Sequence, residues 1–314
     1  MNWLVCVLAV LLLSYRIAAL PHGTFSQLAK RDLPPLLPIP DSITNELLPG
    51  LPIKAQEATK YGISYAPYNH DGTCKSQDGI NSDLDKLRPW GFVRIYGVDC
   101  NQTRKVVNAA RERNLRVFAG VYDLQNFPQS LDPIIEAAAG DWSTFHTINV
   151  GNELVNKGTN PWDVINALHT ARAKLRAAGY QGPVVTVDTF SVLLRHPELC
   201  HASDYCAANC HAFFDANQIP INAGEYTLNQ ANAISAAAGG KRTVITEAGW
   251  PHGGKSNGRA VPDTVNQWTA ILMLANAFKH RHEDLILFSA FDDLWKRDGP
   301  GTFGAEKYWG LLKH

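Results

Sequence analysis

Two glutamates in the 314-residue sequence each follow a run of apolar and β-branched residues. Glu153 closes the run HTINVGNE (146–153) directly after Asn152, and Glu247 lies within RTVITEAGW (242–250). A carboxylate at the end of a buried strand costs free energy unless it is paired or used in chemistry. Two carboxylates that face one another can cleave a glycosidic bond, because one protonates the leaving oxygen while the other attacks carbon or activates water.

Aromatic and polar side chains stand at the ends of the other apolar runs. Aromatic rings offer flat apolar faces, which suit the C–H faces of sugars. We therefore expect the substrate to contact the residues at these ends, which are Tyr65, Tyr68, Tyr96, His211, Phe214, Trp250 and Asp292. For Tyr65 and Tyr96 the alternative is simple core packing, in which the hydroxyl group finds a hydrogen-bond partner.

Eight short β-rich runs alternate with helix-like stretches from Tyr61 onward. The runs cover 61–68, 92–98, 116–123, 146–153, 183–190, 205–214, 242–250 and 284–293. This alternation predicts an α/β protein with one (β/α)8 TIM barrel, whose usual size of about 250 residues fits 58–314. An open doubly wound sheet is the alternative, but no glycine-rich phosphate turn follows the first run.

The barrel prediction brings the two glutamates together. Active sites of this fold lie at the C-terminal ends of the strands, and Glu153 and Glu247 end the fourth and seventh runs. Strands three steps apart in a ring of eight face each other across its mouth. We therefore expect both carboxylates at one rim of the barrel.

The first 57 residues differ in composition from the rest. Residues 1–20 hold an apolar run from Trp3 to Leu13 followed by small residues, which is typical of a cleaved signal peptide. A signal anchor is the alternative, but the run is shorter than the roughly 20 residues of a membrane span. Residues 21–57 are rich in proline and predict a linker or pro-segment. We expect a secreted monomer, extracellular or in the cell wall, without a membrane span.

Five cysteines follow the predicted signal peptide, which suggests two disulfides and one free thiol in an oxidising compartment. Cys74 and Cys100 each follow a predicted strand and are the first expected pair. The second pair lies among Cys200, Cys206 and Cys210. A zinc site formed by these three with His201 and His211 is the alternative, but no CxxC spacing supports it, and we expect neither a metal nor an organic cofactor.

Asn101 begins Asn101-Gln102-Thr103, the only Asn-x-Ser/Thr motif in the sequence. The motif permits an N-linked glycan, and the alternative is an unmodified asparagine that caps the following helix.

Charge excludes one class of partner. The 29 basic and 29 acidic side chains balance, and no basic run with interleaved aromatic residues is present. The electrostatic pattern of a nucleic-acid-binding protein is therefore missing, and a neutral polymer is the better match.

Two motifs, VGNE (150–153) and TEAGWP (246–251), resemble those of glycoside hydrolase family 17, in its fungal cell-wall branch of β-1,3-glucanases and glucanosyltransferases. GISYAPY, RIYGVDC, NCHAFFD and AFDDLWK also match this branch, and the resemblance covers 58–314. It implies a retaining enzyme acting on β-1,3-glucan, with Glu153 as acid/base and Glu247 as nucleophile. It further implies that Asn152 contacts the sugar 2-hydroxyl, that Tyr96 steadies the nucleophile, and that an Asp293–Lys296 pair lies near the sugar.

The resemblance leaves hydrolysis and glucanosyl transfer open, as well as endo and exo action. His252, Ser289 and Asp293 depart from the usual residues of the family, so the subsite preference is open too. Two further functions compete with catalysis on glucan. One is a non-catalytic glucan-binding barrel, and the other is a phosphate-binding barrel that uses GWPHGGKSNG (249–258).

Overall fold

The computed structural model describes residues 60–312. The predicted signal peptide (1–20) and linker or pro-segment (21–57) lie outside these residues. Eight parallel strands form a closed barrel in chain order, in which β8 pairs with β1. The strands are β1 Gly62–Ser64, β2 Phe92–Arg94, β3 Arg116–Val121, β4 Phe145–Asn152, β5 Val184–Thr189, β6 Cys206–Asn209, β7 Thr243–Ala248 and β8 Leu285–Leu287. The predicted TIM barrel is confirmed, and seven of the eight strands lie within a predicted run, while β4 begins one residue before its run, at Phe145.

Helices surround the barrel and connect successive strands. They are α1 Gln77–Lys86, α2 Gln102–Arg111, α3 Asp132–Ala138, α4 Pro161–Ala177, α5 Phe190–Arg195, α6 Pro197–Ala202, α7 Ala223–Ala237 and α8 Thr264–Ala277. Local sequence explains where several begin, because a side-chain oxygen at the cap accepts a backbone N–H that the first turn leaves free. Ser76 does this for α1, Asn160 for α4 and Asp263 for α8.

The barrel interior is filled by side chains from most of its strands. One buried cluster contains Phe92, Phe118, Val185, Val187, Tyr205, Ala207, Val244 and Ile286. Filling of this kind makes the centre of a TIM barrel a packed core and not a pore. A larger apolar layer lies between the strands and the helices. Within residues 60–312, no helix has the length and apolar character that crossing a bilayer requires.

Within residues 60–312, two disulfides join neighbouring elements. Cys74–Cys100 links the loop after β1 to the segment after β2, as predicted. The second disulfide, which sequence left open, is Cys200–Cys206, and it links α6 to β6. Cys210 is free and buried, and burial raises the pKa of its thiol to about 12. Because Cys200 and Cys206 are bonded to each other, they are not available as zinc ligands.

Candidate active site

A cleft of about 850 Å³ opens at the C-terminal ends of the strands. The cleft is the space lined by Glu153 and Glu247 together with residues of the surrounding loops, among them Tyr68, Tyr96, Tyr122, Asn152, His211, Phe214, Trp295, Lys296 and Trp309. The two glutamates that the sequence singled out therefore lie in one cavity at the predicted rim.

Glu247 lies near the end of β7, and its side chain is almost fully buried. Arg94 Nη1 donates to Oε1 at 2.7 Å, and His211 Nε2 lies 3.2 Å from Oε2. Burial by itself raises the pKa of this carboxyl, but the Arg94 charge and the His211 hydrogen bond outweigh burial and lower it to about 2. Glu247 is therefore a buried carboxylate that stays ionised across the neutral range.

Glu153 directly follows β4, and its environment acts in the opposite direction. Burial and the negative charge of Glu247 raise its pKa, and only the hydrogen bond from Asn209 Nδ2 to Oε1, at 2.9 Å, and nearby cations oppose them. The backbone of Glu153 has a φ of 58°, which is uncommon for a residue with a side chain. The Glu153 N–H donates to Val187 O at 2.8 Å, so the neighbouring strand holds this conformation.

Two residues that sequence analysis did not select connect the glutamates. Arg94 Nη2 donates to Asn152 Oδ1 at 2.8 Å, while its other terminal nitrogen bonds Glu247. Asn209 Nδ2 contacts Asn152 Oδ1 at 3.4 Å and Glu153. A continuous series of contacts thus runs from Glu247 through Arg94, Asn152 and Asn209 to Glu153. Arg94 and Asn209 could have been identified from the sequence, because each is a charged or amide residue inside an otherwise apolar run.

Tyr96 lies beside this network and lines the cleft. Its hydroxyl donates to Ser64 Oγ at 3.0 Å and accepts from Arg94 Nη1 at 3.3 Å. The Arg94 guanidinium lies 4.3 Å from the centre of the Tyr96 ring. Burial, with a contribution from Glu247, raises the pKa of Tyr96 well above its ordinary value, so the hydroxyl remains a donor.

Three of the residues expected to contact substrate do not reach the cleft. Tyr65 is buried and donates its hydroxyl to Asp83 Oδ2 at 2.7 Å, so the packing alternative applies to it. Trp250 is 0% exposed, donates Nε1 to Val261 O at 2.9 Å, and therefore presents no face for stacking. Asp292 contacts His252 at 3.0 Å and accepts the Gly310 N–H. Chain direction changes after each strand ends, so the strand alternation no longer predicts where these side chains point.

Aromatic rings from the segments after β1, β3, β6 and β8 line the cleft that holds the two glutamates. The Tyr68 and Trp295 rings lie 4.9 Å apart, close to an ion pair of 3.1 Å between Asp293 and Lys296. Elsewhere Tyr122 and Phe214 are each 44% exposed, and Phe214 packs on Trp309. Tyr68 and Phe214 were expected here, whereas the contributions of Tyr122, Trp295 and Trp309 were not predicted.

Most of the chain is similar to known proteins. Residues 62–310 match the BtgE/BtgC glycoside hydrolase domain. Cell surface mannoprotein MP65 of Candida albicans is 43% identical over 257 residues, which are 81% of this chain and 66% of that protein. Probable family 17 glucosidase SCW10 of Saccharomyces cerevisiae is 43% identical over 255 residues, or 80% and 64% of the two chains. The chain thus spans less than two thirds of the length of either relative.

Among solved structures, the family 17 β-1,3-glucanosyltransferase of Rhizomucor miehei superposes with a TM-score of 0.67 at 25% identity. The match covers 82% of this chain and 94% of that enzyme. An active-site mutant of the same enzyme, in complex with laminaritriose, gives a TM-score of 0.68.

Proposed function

Because this chain belongs to the BtgE/BtgC family of glycoside hydrolases and resembles family 17 glucosidases, we propose that it cleaves β-1,3-glucan of the cell wall with retention of configuration. The observation that carries the proposal is the placement of Glu153 and Glu247 in one cleft, connected through Arg94, Asn152 and Asn209, in surroundings that lower the pKa of Glu247 and raise that of Glu153. In glycosidases, different surroundings give the two carboxyl groups different pKa values, so that one acts as the nucleophile and the other as the acid. The cell-surface name of the Candida relative supports action at the cell wall.

In the first step, Glu153 donates its proton to the glycosidic oxygen while Glu247 attacks the anomeric carbon. The carbon–oxygen bond to the leaving sugar breaks, and a covalent glycosyl-enzyme forms on Glu247. In the second step, Glu153, now a carboxylate, removes a proton from an incoming molecule, which is water in hydrolysis and a sugar hydroxyl in transfer. The oxygen of that molecule attacks the same carbon, and the bond from the carbon to Glu247 breaks. No metal or organic cofactor is required by this chemistry, so we expect a chelator to leave the rate unchanged.

Arg94 and Asn152 support these steps in different ways. Arg94 keeps Glu247 ionised before the attack through its direct 2.7 Å bond. Asn152 Oδ1 accepts from Arg94, which leaves its Nδ2 group as the donor toward a sugar hydroxyl. Because this donor is already held in place, its hydrogen bond to the sugar can stabilise the transition state without any rearrangement of the site.

Glucanosyl transfer is the second candidate, and a specific observation favours it. Aromatic rings that follow four different strands line the cleft (Tyr68, Tyr122, Phe214 and Trp295), so a second sugar chain could stack while the covalent intermediate exists. Such stacking would let a sugar hydroxyl replace water in the second step. The similarity to a fungal glucanosyltransferase agrees with this candidate.

Incubation of the purified protein with a reduced laminari-oligosaccharide of defined length, followed by mass spectrometry, tests both candidates. Shorter products alone indicate hydrolysis, and products longer than the substrate indicate transfer. We expect Glu153→Gln and Glu247→Gln each to lower turnover by about 10²–10⁴-fold or more, with unchanged circular dichroism. Azide should partly restore turnover only when a small neutral residue replaces Glu247.

Two outcomes would contradict the proposal. Near-normal turnover in either glutamine variant would remove that residue from the chemistry. Oligosaccharide binding without any turnover by the unaltered protein would favour the glucan-binding barrel instead.

A further inference from the structure

We propose that Asn101 carries an N-linked glycan at the edge of the cleft. Asn101 is the first residue of the sole Asn-x-Ser/Thr motif and lies between Asp99 and Gln102, both of which line the cleft. A motif alone identifies an acceptor only weakly, so three features of the fold carry the argument.

The first feature is the free side chain of Asn101. This residue precedes α2 in a left-handed conformation, with a φ of 52°, which asparagine tolerates better than most residues. Its side chain makes no capping hydrogen bond, and the residue is exposed. Asn101 thus occupies the N-cap position without using its side chain as a cap, and no hydrogen bond within residues 60–312 uses its amide nitrogen.

The second feature is the hydroxyl group of Thr103. Thr103 is 1% exposed, and its Oγ1 has no hydrogen-bond partner. A buried hydroxyl without a partner lowers stability, and valine would fill nearly the same volume without this cost. The Thr103 hydroxyl thus makes no hydrogen bond in the folded protein, yet it is the group that an acceptor motif needs at this position. The glycosylating enzyme recognises the motif in the unfolded chain, where the hydroxyl is accessible.

The third feature is the redox environment. Cys100, which directly precedes Asn101, is bonded to Cys74, and a second disulfide joins Cys200 to Cys206. Structural disulfides form in the oxidising compartments of the secretory route. N-linked glycans are added in that same route, so these bonds place the motif where it can be used.

The modification is a transfer of a whole oligosaccharide from a lipid diphosphate carrier. The Asn101 amide nitrogen forms a bond to the first sugar carbon, and the bond from that carbon to the diphosphate oxygen breaks. The lipid diphosphate is released, and the proton that the amide loses passes to it through a base of the transferring enzyme. The glycan would then project from the loop that contacts Tyr68, whose hydroxyl bonds Asp99 and accepts from Gln102. It would stand at the end of the cleft formed by Tyr68 and Trp295.

The test uses the full chain expressed in yeast, with protein collected from medium, wall and cell extract. Peptide N-glycosidase in ¹⁸O-water should lower the mass by one glycan and convert Asn101 to ¹⁸O-labelled aspartate. Thr103→Val and Asn101→Gln should abolish the shift, whereas Thr103→Ser should keep it. An unmodified protein in all fractions, or a glycan that persists in Thr103→Val, would overturn the proposal.

A stability comparison tests the argument about the hydroxyl separately. Thr103→Val and Asn101→Asp both lack the glycan, and aspartate tolerates the left-handed backbone at residue 101 as asparagine does, so their thermal midpoints can be compared directly. We expect Thr103→Val to be at least as stable as Asn101→Asp, with unchanged turnover of short laminari-oligosaccharides. A clearly lower midpoint for Thr103→Val would show that the hydroxyl serves the fold, and the proposal would lose its second support.

Discussion

At the scale of single residues, Arg94 separates the behaviour of the two glutamates. Its side chain is 0% exposed and bonds both Glu247 and Asn152. A guanidinium remains charged at every accessible pH, so it stabilises the ionised form of Glu247 permanently. The negative charge that this fixes on Glu247 contributes to the raised pKa of Glu153. One buried cation therefore acts on both carboxyl groups.

This arrangement predicts how activity depends on pH. Glu247 must be ionised, which holds above its pKa of about 2, and Glu153 must be protonated, which holds below its raised pKa. A bell-shaped profile of kcat/KM should result. Arg94→Lys keeps a charge but cannot bond Glu247 and Asn152 together, so the pKa of Glu247 should rise and the acid limb should move to higher pH. Surface Arg88→Lys is the control, and an acid limb that Arg94→Lys leaves in place would contradict the assignment.

Two tryptophans offer a second prediction. Trp250 is buried and packs on Phe213, whereas Trp295 lines the cleft beside Tyr68. Trp250→Ala should lower the free energy of unfolding by about 3–5 kcal/mol. Trp295→Ala should cost about 1 kcal/mol or less and should weaken oligosaccharide binding instead. Urea unfolding measures the effect on stability, and titration calorimetry measures the effect on oligosaccharide binding. A larger loss of stability in Trp295→Ala, or a larger loss of binding in Trp250→Ala, would contradict this assignment.

At the scale of elements, the end of β5 supports the loop that follows β4. Asp188 Oδ2 accepts the Val155 N–H at 2.9 Å, and Oδ1 accepts the Thr189 N–H at 2.8 Å. The same loop contains Lys157, whose Nζ donates to the Tyr122 hydroxyl at 2.8 Å and to Asn152 O at 3.1 Å. This loop therefore connects the position of Glu153 to that of an exposed aromatic ring in the cleft.

Asp188→Asn should lower kcat about tenfold with little change in KM. The substitution weakens the buried hydrogen bond from the Val155 N–H, whose loss costs about 1–3 kcal/mol, and the loop that holds Glu153 should then shift. Asp204→Asn is the matched control, since Asp204 accepts the Val184 N–H at the opposite end of β5. It should lower stability without changing kcat. Equal kcat values in the two variants would mean that Asp188 serves the fold alone.

The strands and the two glutamates were predictable because both signals are local. Each strand is an apolar run, and Glu153 and Glu247 end such runs. The positions of Tyr65, Trp250 and Asp292 were not predictable, because they depend on how loops turn after β1, β7 and β8. Arg94 and Asn209 were missed for another reason: both lie on strands, and their partners are brought together only when the barrel closes.

At the scale of the whole molecule, two disulfides close loops of different length. Cys74 and Cys100 are 26 residues apart, and Cys200 and Cys206 only 6. Loop-closure entropy predicts a loss of about 3.5 kcal/mol when the first is removed and about 2 kcal/mol for the second. Double alanine variants followed by thermal unfolding measure this difference. A larger effect of the shorter loop would show that packing around Cys200 and Cys206 outweighs chain entropy.

The parallel direction of the strands also determines how the enzyme could be attached to a solid material. The described chain reaches the barrel at Lys60 and Tyr61, before the N-terminal end of β1, whereas the cleft opens at the C-terminal ends of the strands. Anchoring chemistry placed just ahead of Lys60 would hold the barrel by the face remote from the cleft. The immobilised protein would then present its cleft to the surrounding solution, so a long dissolved polymer could enter the cleft without obstruction by the support.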